Sequence, residues 1–250
     1  MEYDLDLWTA VFLVLGGFAA GFINAVAGGG SAITLPVLVE FLGDAVLANG
    51  TNRIAILLQN FSGITRFQKS KKVPWAELRP LVLPTLIGAI AGARLATTID
   101  PDLMKRLFGV VILFVAVSVV VKPAKWEGDG RNRLHEPWRS LVYLGLGFYG
   151  GFIQVGIGFL FIAALVIFGG MNLVTGNAAK LVLIAAYTVL ALGTFIWAGQ
   201  VHYVAGLVLA LGNMSGAWVA AHVAVEKGAG WIRWALVVAA VVAAGRMLLT

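Results

Sequence analysis

Residues 8–27, 103–121, 203–224 and 229–249 are runs of almost unbroken apolar side chains. Each approaches or exceeds the roughly 20 residues that a helix needs to cross a bilayer. Sixty per cent of the 250 residues are apolar and twelve per cent are charged, against about a quarter charged in an ordinary soluble domain. Backbone in hydrocarbon must pair its own polar groups, which a helix does. The expectation is an all-α, polytopic helical membrane protein.

The formal charge of +6 does not point to nucleic acid. Most Lys and Arg residues fall in short loops between apolar runs, where positive charge orients a membrane protein. Cysteine is absent, which excludes disulfides and thiolate sites. The opening MEYDLDLW is acidic and leads directly into a full-length run, so no cleaved signal peptide is expected.

The longest polar interval, KPAKWEGDGRNRLHEPWRS (122–140), lies near the midpoint, and the sequences on either side of it resemble one another. GFAAGFIN (17–24) matches GFYGGFIQ (147–154), pairing Asn24 with Gln154. Residues 53–75 align with 180–203, pairing Arg53 with Lys180 and Asn60 with Tyr187. GAIAGA (88–93) matches GNMSGA (212–217). Matches in the same order indicate an internal duplication. It gives an N-terminal repeat (1–122), a basic cytoplasmic linker (123–139) and a C-terminal repeat (140–250).

Each repeat holds five apolar segments: 8–27, 31–43, 45–67, 79–99 and 103–121, then 140–156, 158–170, 173–198, 203–224 and 229–249. One segment in each, 31–43 and 158–170, is too short to span as a straight helix. The basic loop RFQKSKK (66–72) corresponds to the uncharged FIWAGQV (195–201), so the positive-inside rule prefers opposite sides for them. Opposite sides require an odd number of crossings per repeat. The short segments are therefore expected to cross, alone or with a broken neighbour, and the repeats to be inverted as in many secondary transporters. Parallel repeats of four spans with re-entrant short segments are the alternative.

Gly28, Gly29 and Gly30 interrupt the first long run and are followed by Ser31 and Pro36. Glycine costs roughly 1 kcal/mol against alanine inside a helix, and unpaired backbone in hydrocarbon costs more. The expectation is a break: one helix ending near Ala27, and a short one starting near Ser31 as N-cap, with an irregular first turn imposed by Pro36. Exposed N–H groups there would suit an anion. Close helix packing is the better reading for Gly17/Gly21, Gly88/Gly92 and Gly212/Gly216.

Charges within membrane segments are functional by default. Arg53 and Asn60, seven residues apart, lie within about 20° of each other on a helix. Asn49 shares that face and Asn52 flanks it. Lys180 and Tyr187 repeat the spacing, with Asn177 nearby. Snorkelling of both cations to the interface is the plainer alternative. No mid-span Asp or Glu exists to hold a cation, metal or carried proton, so the interior chemistry suits a small oxyanion. The scattered histidines (His135, His202, His222) and absent carboxylate cluster argue against an enzyme and a cation permease, and no cofactor is called for. A scaffold would have no use for the polar faces.

AVAGGGSAITLPVL, GTNRIAILLQNFSGITRF with KKVPW, and GAIAGARLA with LMKRLFGVVILFVAV resemble the sulfite exporter TauE/SafE family. GFYGGFIQVGIGFLFIAALVIFGG and NAAKLVLIAAY are similar to its second repeat, without a full glycine run after Gly151 and with Ala178-Ala179 before the lysine. The resemblance implies a permease for sulfur-containing anions such as sulfite or organosulfonates, often an exporter, multi-pass in a cell inner membrane. The expected partners are that anion and the lipid bilayer; homo-oligomerisation stays open. The expected substrate-binding residues are Arg53, Lys180, Asn24, Gln154, Gly28, Gly29, Gly30, Ser31, Asn49, Asn52, Asn60, Asn177 and Tyr187.

Overall fold

A computed structural model describes residues 6–27, 29–120, 133–227 and 245. Gly28, most of the linker and nearly all of the expected segment 229–249 lie outside them. The helices are α1 (Leu7–Ala27), α2 (Ser31–Leu42), α3 (Ala45–Lys69), α4 (Trp75–Thr98), α5 (Pro101–Val120), α6 (Trp138–Phe152), α7 (Ile157–Ala163), α8 (Leu173–Trp197) and α9 (Tyr203–Lys227). The chain continues from α7 into a wider π-helical turn, Ala164–Phe168. No strand occurs among the described residues.

Local chemistry sets the boundaries. Gly43 adopts a left-handed φ of 64° and its N–H reaches back to the Val39 carbonyl, stopping α2. The Asp44 carboxylate then accepts from the N–H groups of Val46 and Leu47 and starts α3. Side-chain oxygens at an N-cap satisfy donors that the first helical turn leaves free. Asn172 does the same for α8 through Thr175 N–H.

α3 and α8 form the centre and run antiparallel, since Gly50 faces Phe195 and Gly63 faces Leu181. α9 packs on α3 and α4 on α8; α1 then lies along α9, and α6 along α4. Both outer pairs cross on small residues. A Cβ on Gly21 would strike the Asn213 carbonyl, and one on Gly151 the Ala89 carbonyl. The packing expectation for Gly17/Gly21, Gly88/Gly92 and Gly212/Gly216 thus matches the structure, and the fold supplies the pairing. Gly17/Gly21 meet α9, while Gly212/Gly216 meet α1.

Among the described residues, three helices are long and apolar enough to cross a membrane: Leu7–Asn24, Trp75–Thr98 and Leu173–Trp197. Large apolar side chains such as Phe12, Leu83, Phe114 and Leu211 face outward, a coat that hydrocarbon accepts and water does not. Trp8, Trp75, Trp138 and Trp197 are exposed at or beside helix ends, as an aromatic belt requires. Trp126 and Trp231 lie outside the described residues.

The short segments fold back on the helices before them. α2 folds back along α1, with Gly16 against Val37 and Gly30 against Ala20 and Asn24. In the second half, the Phe168 carbonyl accepts from Arg133 N–H just ahead of α6, 2.7 Å away. Each short segment is therefore the returning arm of a hairpin. A 12-residue arm extends about 18 Å, well short of the roughly 30 Å hydrocarbon core.

Candidate functional site

α3 carries Asn49, Asn52, Arg53 and Asn60, all buried. Arg53 is fully buried and projects to the place where α6 breaks. Its guanidinium donates to the carbonyls of Gly150, at 3.3 Å, and Gly151, at 2.5 Å. It also donates to Asn49 Oδ1 at 3.4 Å, while Asn49 Nδ2 donates to the Phe152 carbonyl at 2.7 Å. The last carbonyls of a helix have no partners within it, and a cation suits the negative end of its dipole. Arg53 and Asn49 thus cap α6 from another helix. The Phe195 ring covers the guanidinium at 4.7 Å from its centroid, within cation–π range.

Around this contact Arg53 Nε and both amide atoms of Asn52 are buried with no hydrogen-bond partner among the described residues, and the Tyr187 hydroxyl lies beside the Gln154 amide. Gln154 lies in the α6–α7 break with a left-handed φ of 69°, an uncommon conformation for a side-chain-bearing residue. Tyr187 packs against Gly150, where a Cβ would lie 2.8 Å from its ring, and stacks on Phe161. Unpaired buried polar groups are rare in folded proteins and call for an explanation. A ligand that accepts hydrogen bonds is one.

Lys180 is buried as well, at 7% exposure, and makes no hydrogen bond or ion pair with a described residue. It does not meet Arg53. Given the antiparallel register, Arg53 is level with residue 192 or so, twelve residues from Lys180, or about 18 Å along the axis. The two cations occupy opposite halves of the central helix pair, and neither lies at the surface. Asn177, one turn from Lys180, is half-buried.

At the first break, α1 ends at Ala27 and α2 starts at Ser31, as expected. The N-cap is Gly30, without a side-chain bond, so Ser31 is the first helical residue and not the cap. The first turn is irregular: Ala32 N–H reaches the Gly29 carbonyl and Ile33 N–H the Gly30 carbonyl, an i to i−3 pattern. Gly29 and Gly30 are buried and Ser31 half-buried; Gly28 is outside the described residues. Asn24 is partnered, donating to Gln59 Oε1 at 2.8 Å. Asn60 donates to the Ile56 carbonyl of its own helix.

Sequence reasoning missed the α6 carbonyls and Phe195. Carbonyls have no residue identity to read, and an aromatic fifteen positions beyond Lys180 carries no signal without the helix pairing. Among the described residues no Asp or Glu is buried, and none cluster with His as metal ligands.

The match to known proteins agrees with these features. The family described as "Sulfite exporter TauE/SafE" matches residues 13–247. The chain belongs to that family. A TauE/SafE relative from Sinorhizobium sp, "Probable membrane transporter protein ORF9", is 30% identical, covering 98% of this chain and 94% of its own. "Probable membrane transporter protein" of Haemophilus influenzae is 28% identical, covering 99% and 97%. "Probable membrane transporter protein YfcA" of Escherichia coli K12 is 26% identical, covering 92% and 86%. No solved structure matches the chain. As a TauE/SafE protein with an apolar outer surface, it is a membrane transporter.

Proposed function

We propose that this TauE/SafE protein exports small sulfur-containing anions, such as sulfite or organosulfonates, across a cell inner membrane. It acts as a secondary transporter, by alternating access about a site between two inverted repeats. The observation that carries the reading is the presence of two cations, Arg53 and Lys180, buried without a carboxylate partner among the described residues. Uncompensated buried charge is expensive, and an anion relieves it. Asn52 has polar atoms unpartnered among the described residues to contribute, and Tyr187 and Gln154 bring a hydroxyl and an amide side by side. An oxyanion has several acceptor oxygens and no obligatory donor, which matches amide N–H, hydroxyl and guanidinium groups. Asn24, Asn49, Asn60, Asn177, Gly28, Gly29, Gly30 and Ser31 complete the proposed binding set.

Two repeats are supported by the exchange of partners: α1 lies on α9 as α6 lies on α4, and α3 on α9 as α8 on α4. The loop after α3 and the loop after α8 sit at opposite ends of α4, as inversion requires. The sulfur specificity and the outward direction come from the family description alone.

The test is thermal stability of purified protein with sulfite, sulfate, thiosulfate, sulfoacetate, taurine and simple carboxylates, followed by flux in proteoliposomes. A ligand at a hundred times its dissociation constant should add about 2.7 kcal/mol of stability. If no sulfur anion stabilises the protein and none is moved, the substrate assignment fails.

A further inference from the structure

The two ends of the bundle are closed differently. At one end, the loop between α8 and α9 is clasped onto α3 and α4. Thr51 Oγ1 accepts from His202 N–H at 2.9 Å, and Gln200 Nε2 donates to the Thr97 carbonyl at 3.2 Å. Gly50 packs so closely on the Gln200 carbonyl that it has no room for a Cβ. Phe41 meets the His202 ring edge-on, with centroids 6.0 Å apart. Directly beneath, Phe195 covers Arg53.

At the opposite end the corresponding loop, between α3 and α4, packs Val73 on the core, but among the described residues its hydrogen bonds go only to its own neighbours. Trp75 Nε1 donates to Gln68 Oε1, and Ser70–Lys72 bond back into the end of α3. These residues are exposed. Beside this loop lies a cavity of about 610 Å³, bounded by the starts of α4, α6 and α8 and lined by Glu77, Tyr143, Arg139, Met171, Asn172 and Thr175. Lys180 is five residues further along α8 than Thr175, about 7 Å deeper.

We infer that the segment Gly199–His202 is the gate of the face opposite the linker, shut in this conformation, and that substrate enters through the linker-side cavity. This rests on the transporter reading. Opening the gate requires release of the Thr51–His202 and Gln200–Thr97 bonds and withdrawal of Phe195 from Arg53. The α3–α4 loop, with its basic residues Lys71 and Lys72, is then free to close the linker side.

The chain contains no cysteine, so single cysteines report access directly. Thr175→Cys reports the linker-side cavity and Ala191→Cys, one turn below Phe195 on α8, the gated side; His135→Cys marks the linker face. A membrane-impermeant thiol reagent should label T175C from the linker face and leave A191C protected from both. Adding Gln200→Ala, or Thr51→Val as an independent second variant, should speed A191C labelling from the other face by roughly fivefold, the shift expected from losing one net hydrogen bond. T175C labelling should slow in the same variants. Equal labelling of A191C from both faces without the gate substitutions overturns the inference, as does protection of A191C that survives them. The labelling needs no substrate, so its failure is distinct from failure of the anion assignment.

Discussion

The Arg53 guanidinium on α3 donates a hydrogen bond to the carbonyl of Gly151, ninety-eight positions away on α6. A side chain from the first half thereby closes the end of a broken helix in the second. Lys180, its counterpart in the sequence comparison, has no such attachment. Two cations that look equivalent in the chain therefore carry different structural burdens.

That difference is measurable. Arg53→Ala strands the Gly150 and Gly151 carbonyls, and loss of a buried bond to a charged group costs about 1.5–3 kcal/mol. Thermal unfolding in detergent should show R53A clearly less stable than the parent. Lys180→Met removes a buried charge with no partner among the described residues and should be neutral or stabilising, yet abolish anion-induced stabilisation and flux. An unchanged anion response in K180M removes Lys180 from the site.

Asn52 offers a second separation of stability from function. Both of its polar side-chain atoms are buried and unpartnered, and replacing such a group by an apolar one of similar shape is nearly neutral or favourable. Asn52→Leu should unfold at the same or a higher temperature and bind the anion more weakly. A loss of stability, with the anion response intact, would mean that Asn52 serves packing.

At the second break, Gln154 sits at a positive φ, where a residue with a Cβ is strained by about 1–2 kcal/mol. Gln154→Gly should relieve that strain while removing the amide; Gln154→Ala removes the amide and keeps the strain. Both should lose anion affinity, and only the glycine variant should gain stability. Equal unfolding temperatures for the two contradict the strain.

The glycine crossings predict a graded packing series. Gly21→Ala and Gly216→Ala place a methyl on the Asn213 and Phe18 carbonyls respectively, and overpacking costs typically 1–3 kcal/mol. Gly145→Ala, with open space around its Cβ, should be neutral or stabilising because alanine is the better helix former. Detergent melts of the three variants check the order.

The helices were legible because hydrophobic length and glycine placement are local properties. The break between α1 and α2, the short arm after it, and the boundaries near Ala27, Ser31, Leu173 and Tyr203 all follow from the cost of exposing backbone polar groups in hydrocarbon. The burial of Arg53 and Lys180 could be anticipated from their depth within apolar segments. Their separation could not, because the repeat alignment equates positions in two copies without stating which positions come together in space.

From its sequence alone this protein is a helical membrane chain with broken segments and two interior cations, since apolar length, glycine runs and misplaced charge act on the backbone where they occur. Only the tertiary structure decided that the short segments turn back, that Arg53 caps α6, and that Lys180 stands about 18 Å away. Those outcomes depend on which helix faces meet. Small residues and backbone carbonyls govern that choice, and most of their partners lie more than fifty positions distant.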